Sequence, residues 1–171
     1  LLNSDLLSIS SNLLKSKTHV FDVDIHLRNP QSSDDTPPHQ DSYLKALKSG
    51  SEEMITCYIA LTDINSNSSP LRIIRGSHLT KPMVHKRSKK LGFSSVIVED
   101  ANDLPKTILS KECEINLRKG DALFFHSKII HFTRSKECLV SKERAAIAVR
   151  IIGSRIKYSK HIKTQLNKNI T

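Results

Sequence analysis

The sequence predicts a mainly β fold, an antiparallel sandwich or barrel with the jelly roll as the leading form. Three observations carry this expectation. Short apolar or alternating runs are bounded by turn residues at short intervals, helical patterns fall mainly at the chain ends, and neither an internal repeat nor strand–helix alternation points to a parallel sheet. The 171 residues suit a single domain, 1–171, with a core over about 19–152 and a basic tail over 153–171. A hydrophobic share of 37% beside 26% charged residues belongs to a globular chain rather than a disordered one.

Residues 1–15 place Leu2, Leu6, Ile9, Leu13 and Leu14 at near-helical spacing and predict an amphipathic helix. HVFDVDIHL, 19–27, alternates. Val20, Asp22, Asp24 and His26 share one face and Phe21, Val23, Ile25 and Leu27 the other, which predicts a half-buried strand. Residues 29–38 form a polar loop with three prolines. Residues 54–64 predict a strand, 65–70 a turn, and 71–74 a short strand closed by Gly76. The segment 79–111 weakens in pattern and is read as an insertion with one strand near 95–98. CEINL, 113–117, is a strand, and RKGD, 118–121, a tight turn needing Gly120. ALFFH and IIHFT are strand pieces, 134–143 a loop, and RAAIAVRII, 144–152, the final strand; the tail 154–171 is basic and helical or frayed.

No apolar run approaches the roughly 18 residues of a membrane span, and the first seventeen are too interrupted by polar residues for a signal peptide. The chain does not open with Met, so the expectation is that part of the N-terminal region lies upstream. Cys57, Cys113 and Cys138 lack paired spacing, which argues against a disulfide framework or a cysteine zinc site and for a reducing, cytoplasmic setting. The net charge of +10 is that of a lysine-rich solvated surface. Without Trp, and with no motif interleaving aromatic and basic residues, it argues against a nucleic-acid partner. The sequence carries no signal for an oligomeric state.

Four stretches carry chemistry. In PPHQDSY, a strand reading puts His39 and Asp41 on one face with Gln40 turned away, half of a metal site at small entropic cost. In LFFHSKIIHFT, His131 and Thr133 share a face at the end of an apolar run. Two histidines and one carboxylate with opposite positions left open is the arrangement that non-haem iron(II) uses for oxygen chemistry. In RAAIAVR, Arg144 opens an apolar strand, where a bound carboxylate could partner its guanidinium and a surface position is the plain alternative. The fourth stretch, LTDINSNSSPLRIIRGSHL, runs from an acid through a polar turn and an apolar strand to Gly-Ser-His.

In their order and spacing, PPHQD, CYIALTDINSNSSPLRIIRGSHL, KGDALFFHSKIIHFTRS and ERAAIAVR together resemble the phytanoyl-CoA dioxygenase family, over about residues 20–152. The resemblance implies a double-stranded β-helix, a jelly-roll variant with flanking helices. It implies an enzyme that uses Fe(II), 2-oxoglutarate as co-substrate and O2 to hydroxylate a small molecule, releasing succinate and CO2. His39, Asp41 and His131 match the family's catalytic iron triad. Arg144 matches the arginine that pairs with the distal carboxylate of 2-oxoglutarate, and Arg150 is the alternative anchor. Thr133 matches a small hydroxyl residue beside that carboxylate, Tyr58 stands at the co-substrate wall where many members carry Trp, and Arg28 lies near a second basic position. The carboxylate at 41 implies hydroxylation or a kindred oxidation rather than halogenation. The chain departs from the family at Arg75, where Pro is common, and in a loop from His131 to Arg144 about two residues longer than usual.

His126 and His78 are read as structural, the first packing beside the barrel and the second closing the turn after Gly76. His19, His26, His85 and His161 are read as ordinary surface or strand residues. Substrate contacts are expected from 29–36, 42–53 and 79–111, which hold Tyr43, Lys45, Lys48, Lys81, His85, Lys86, Arg87, Lys89 and Lys90. These lysines would favour a carboxylated, phosphorylated or nucleotide-linked, hence anionic, substrate. The alternative is a cupin-type jelly-roll isomerase or hydrolase that has no use for Arg144.

Overall fold

The computed structural model describes residues 4–30, 35–41, 47–49, 53–90, 93, 95–134 and 142–158. Helix α1 (Ser4–Leu14) is followed by strands β1 (Thr18–Arg28), β2 (Leu47–Ser49), β3 (Met54–Ala60), β4 (Leu71–Ile74), β5 (Lys86–Arg87) and β6 (Ser95–Val96). After the short helix α2 (Lys106–Leu109) come β7 (Glu112–Ile115), β8 (Ala122–His126), β9 (His131–Phe132), β10 (Arg144–Gly153) and β11 (Lys157–Tyr158).

Two antiparallel sheets make the body. The larger runs β1-β10-β3-β8 and the smaller β7-β4-β9. Residues 36–39 extend the smaller sheet beyond β9 through an antiparallel bridge between His39 and His131 and a hydrogen bond from Thr133 N to the Thr36 carbonyl at 3.0 Å. The inner faces meet in one apolar core that joins Tyr58, Ala60, Phe125, Ala146 and Ala148 of the larger sheet to Leu71, Ile73 and Ile115 of the smaller. This is the jelly roll the strand pattern predicts. Its outer faces are covered differently. Leu6, Leu7 and Leu14 of α1 pack on Ile55, Cys57, Val149 and Ile151 of the larger sheet. Ile97, Ala101 and Leu104 cover Ile74, Ile130 and Phe132 of the smaller, so the segment read as an insertion works as a lid on that sheet.

The strands keep the predicted order with shifted ends. The run 54–64 pairs only to Ala60, after which Ile64 makes an isolated bridge to Leu117. Gly120 adopts φ +94°, the left-handed conformation expected of the turn before β8, which costs a residue with a Cβ about 1–2 kcal/mol. The pairing of β2 with β11 and the helix α2 have no counterpart in the sequence reading. Most of the tail, with His161, lies outside the described residues, as do Tyr43, Lys45 and Cys138.

The half-buried strand β1 turns its apolar face outward: Val23, Ile25 and Leu27 are 48%, 66% and 69% exposed. The polar face, with Asp22, Asp24 and His26, turns inward to a cavity. A register shift between Val20 and Asp22 opens the strand at that point. Alternation gave the two faces correctly, but which one turns inward depends on what the interior holds. We therefore expect Leu27→Ser to change stability by less than about 0.5 kcal/mol and Ile151→Ala to cost about 2–5 kcal/mol, measured by urea denaturation. An equal loss from both would contradict the assignment of faces.

Candidate metal centre

The site is built where the smaller sheet gains its extra strand. His39 and His131 are direct register partners. The His39 N–H donates to the His131 carbonyl at 3.2 Å and the His131 N–H returns a bond to the His39 carbonyl at 3.1 Å. Side chains of directly opposed residues lie on the same face of a sheet, so the pairing brings the two imidazoles together, with ring centroids 4.1 Å apart.

Each ring is then oriented by its own backbone. Nδ1–H of His39 donates to the Pro37 carbonyl at 2.8 Å and Nδ1–H of His131 to the Ile129 carbonyl at 3.0 Å. A carbonyl can only accept, so both rings are held with Nδ1 protonated and the Nε2 lone pair free. Asp41 enters two residues beyond His39. One ligand atom from each of His39, Asp41 and His131 lies within 4.8 Å of the others. Two neutral imidazoles and a carboxylate suit a divalent first-row metal such as iron(II), and outer hydrogen bonds to backbone carbonyls are the usual support of ligating histidines.

The electrostatics agree. Burial, followed by the neighbouring His131, pushes the imidazole of His39 down from 6.5 to about 4. Burial likewise lowers His131. For Asp41, burial alone would raise the carboxyl, but His131, Arg150, His39 and the Thr56 hydroxyl outweigh it and bring it to about 2. Both rings are thus neutral and the carboxylate ionised at neutral pH, the forms a metal requires.

Around the triad lies a cavity of about 470 Å³ lined by residues of both sheets. Of the sequence-predicted residues, His39, Asp41, His131, Thr133, Tyr58 and Arg144 all line it. Arg144 is 4% exposed. Its Nη1 donates to the Ser69 carbonyl, and its Nε is buried with no hydrogen-bond partner among the described residues. Such an orphaned donor is costly unless an anion meets it, which fits a carboxylate-bearing co-substrate. Arg28 pairs in register with Arg144 across β1 and β10 and donates from Nη2 to the Thr133 hydroxyl at 3.3 Å. That hydroxyl also accepts from Thr36 N at 2.8 Å. The inner face of β10 reads Arg144, Ala146, Ala148, Arg150; the two alanines leave room between the arginines.

Other residues depart from their sequence reading. His26 is a strand residue of β1 but no ordinary one; it lines the cavity with its ring 6.1 Å from Tyr58, and burial lowers its pKa. His85 is buried, not exposed. Its Nδ1–H donates to the Met83 carbonyl at 2.9 Å and its Nε2 accepts from Gln40 N at 3.1 Å. Gln40, turned away from the triad as expected, donates from Nε2 to the Lys128 carbonyl at 2.6 Å and accepts from Met83 N at 2.9 Å. The residue between the two candidate ligands therefore latches the covering segment to the site. Only the alternation of HVFDVDIHL could have pointed to His26; the latch joins residues 45 apart and left no local signal. His126 accepts at Nδ1 from Lys128 N at 3.0 Å and packs 5.8 Å from His78, in line with structural roles for both.

This architecture and this cluster define a double-stranded β-helix with a two-histidine, one-carboxylate pocket. The chain belongs to the phytanoyl-CoA dioxygenase (PhyH) family, whose sequence profile matches residues 2–137. The match includes His39, Asp41 and His131 and stops short of Arg144. No curated protein matches the sequence. Among solved structures, the chain is similar to the non-heme monooxygenase ThoJ, at 20% identity and TM-score 0.72, over 91% of this chain and 54% of that one. It is similar to the non-heme alpha ketoglutarate dependent carbocyclase SnoK from nogalamycin biosynthesis, at 21% identity and TM-score 0.71, over 93% and 61%. The epimerase SnoN, in complex with Fe3+, alpha ketoglutarate and nogalamycin RO, matches at 18% identity and TM-score 0.67, over 90% and 57%. The chain thus spans little more than half the length of these structures.

Two outcomes follow. In the metal-free protein, His39 has a folded pKa of about 4 against 6.5 unfolded, so the unfolded state binds more protons between those values. Stability should fall as pH drops from about 6.5 to 4, by on the order of 3 kcal/mol from His39 alone. His131 acts in the same direction, while Asp41 holds its contribution until pH falls below 3.8. Urea midpoints that stay flat over that range would contradict neutral buried imidazoles. Separately, His85→Ala strands the buried Gln40 N–H and should cost about 1–3 kcal/mol, measured by the same denaturation.

Proposed function

We propose that the chain is the oxygenase core of an Fe(II)- and 2-oxoglutarate-dependent dioxygenase that hydroxylates a small molecule. The observation that carries this reading is one cavity holding both a two-histidine, one-carboxylate cluster and a buried arginine with an unmet donor. Membership of the phytanoyl-CoA dioxygenase family supports it, as does the likeness to SnoN, which was solved with Fe3+ and alpha ketoglutarate.

When bound, iron(II) and 2-oxoglutarate supply the oxidising chemistry, consuming O2 and releasing succinate and CO2. The chain's residues do the rest. His39, His131 and Asp41 hold the metal, their free Nε2 atoms and carboxylate already aimed by backbone and hydroxyl hydrogen bonds. Arg144 anchors the distal carboxylate of the co-substrate, and Thr133, tied to Arg28 and Thr36, stiffens the wall beside it. Tyr58, Phe125 and Leu71 exclude water and strengthen these charge pairs through the low local dielectric. Asp41 fills the third ligand position and leaves none there for a halide, which supports hydroxylation or a kindred oxidation over halogenation. The epimerase and carbocyclase among the similar structures use the same cofactor for other outcomes.

The nogalamycin compound in SnoN supports a small-molecule substrate here. As to its charge, Phe93 and Ser95 of 79–111 line the cavity and no described lysine does; Asp22 and Asp24 line it too, paired with Arg150. The described wall therefore offers no lysine contact to the anionic substrate that the lysine content suggests. Free Cys57 and Cys113 support a reducing compartment such as the cytoplasm. No described helix is long and apolar enough to cross a membrane.

Anaerobic titration with iron(II) and 2-oxoglutarate should produce a weak visible charge-transfer band, lost in His131→Ala, and aerobic turnover should form succinate. Metal binding without the band or succinate would favour the cupin-type alternative. Product mass separates hydroxylation, which adds one oxygen atom, from epimerisation, which leaves the mass unchanged.

A further inference from the structure

Arg150, the alternative co-substrate anchor, is already engaged by carboxylates of the chain itself. It lies six residues along β10 from Arg144, roughly 20 Å at the rise of a strand, with Ala146 and Ala148 between. One rung of the larger sheet aligns Asp22 of β1, Arg150 of β10 and Thr56 of β3 as register partners. Two of the three bind the Asp41 carboxylate, and the third holds the arginine. Arg150 Nε donates to Asp41 Oδ1 at 3.3 Å, and the Thr56 hydroxyl donates to Asp41 Oδ2 at 2.6 Å. Arg150 Nη1 in turn donates to Asp22 at 2.9 Å and to Asp24. The Arg150 side chain is 12% exposed and that of Asp41 3%, whereas those of Asp22 and Asp24 are each 47% exposed.

We propose that Arg150 is a positioning residue for the metal centre. Held by Asp22 and Asp24 on the edge strand, it works with Thr56 to lock both oxygens of Asp41 in the ligating orientation before a metal arrives. Each Asp41 oxygen gives one lone pair to its donor and keeps another, so the carboxylate cannot turn but can still ligate through the oxygen nearest the imidazoles. The fork of a guanidinium is needed for this, since Nε must reach Asp41 while Nη1 reaches the edge strand; a lysine ammonium offers a single point of charge. The edge-strand acids are thereby explained as a brace for the arginine. This inference rests on the metal-site reading above.

The test is Co(II) binding, followed by calorimetry and by the visible Co(II) bands, with 2-oxoglutarate affinity measured separately at saturating Co(II). Wild-type protein that fails to bind Co(II) overturns the metal site and this inference together. With wild type binding, Arg150→Met should weaken Co(II) by about 10- to 100-fold and change its bands, with 2-oxoglutarate affinity moved by no more than about threefold. Arg150→Lys, which keeps the charge, should recover only part of the loss. Asp22→Asn with Asp24→Asn, which leaves Arg150 beside Asp41 but unbraced, should weaken Co(II) in the same direction and by less. Co(II) affinity unchanged or tighter in Arg150→Met overturns the proposal while leaving the metal site standing. So does a loss of 2-oxoglutarate affinity alone, which would make Arg150 the anchor after all.

Discussion

The pairing of His39 with His131 is the constraint on which the rest of the site depends. Two backbone hydrogen bonds make these residues, 92 positions apart in the chain, direct partners in one ladder. Side-chain orientation in a sheet alternates, so a slip of one residue in this register would turn one imidazole away. The register is secured on both sides. Beyond it, Thr133 N bonds the Thr36 carbonyl; behind it, Ile130 and Phe132 are buried under the covering segment. The metal cluster is thus a consequence of sheet pairing, and apolar burial on the far side of the small sheet holds it.

The two sheets divide the labour. The smaller contributes both histidines; the larger supplies charge and volume. Along the inner face of β10, an arginine at each end is separated by two alanines, and this pattern gives the cavity its length. Arg144 at one end has a buried donor awaiting an anion, and Arg150 at the other is engaged by three carboxylates. The same residue type on the same strand face has two different settings because one end of β10 faces acids on β1 and the other faces Arg28. Polar groups can occupy this interior because nearly all find a partner within it, the condition under which buried charge is tolerated.

Much of this was legible in the chain, though unevenly. Strand order, the turn at Gly120 and the two-histidine, one-carboxylate set follow from local patterns or from four motifs in sequence. Alternation alone does not say which face of β1 turns inward, since apolar residues are ordinarily the buried ones; here the interior is a polar cavity, and Asp22, Asp24 and His26 line it. The burial of His85 is not legible in the sequence because its partners, Gln40 N and the Met83 carbonyl, depend on the path of a segment with weak periodicity.

By itself the sequence determined which residues are chemically able to form the site, and the alternation that places His39 and Asp41 on one face of an extended segment. Those properties reside in side-chain chemistry and in the two-residue period of a strand, both local. Only the tertiary structure decided which histidine of several stands beside His39, which arginine is left with an unmet donor, and which is spent on Asp41. Such choices are made by register between strands far apart in the chain, and register is a property of the assembled sheets rather than of any one segment.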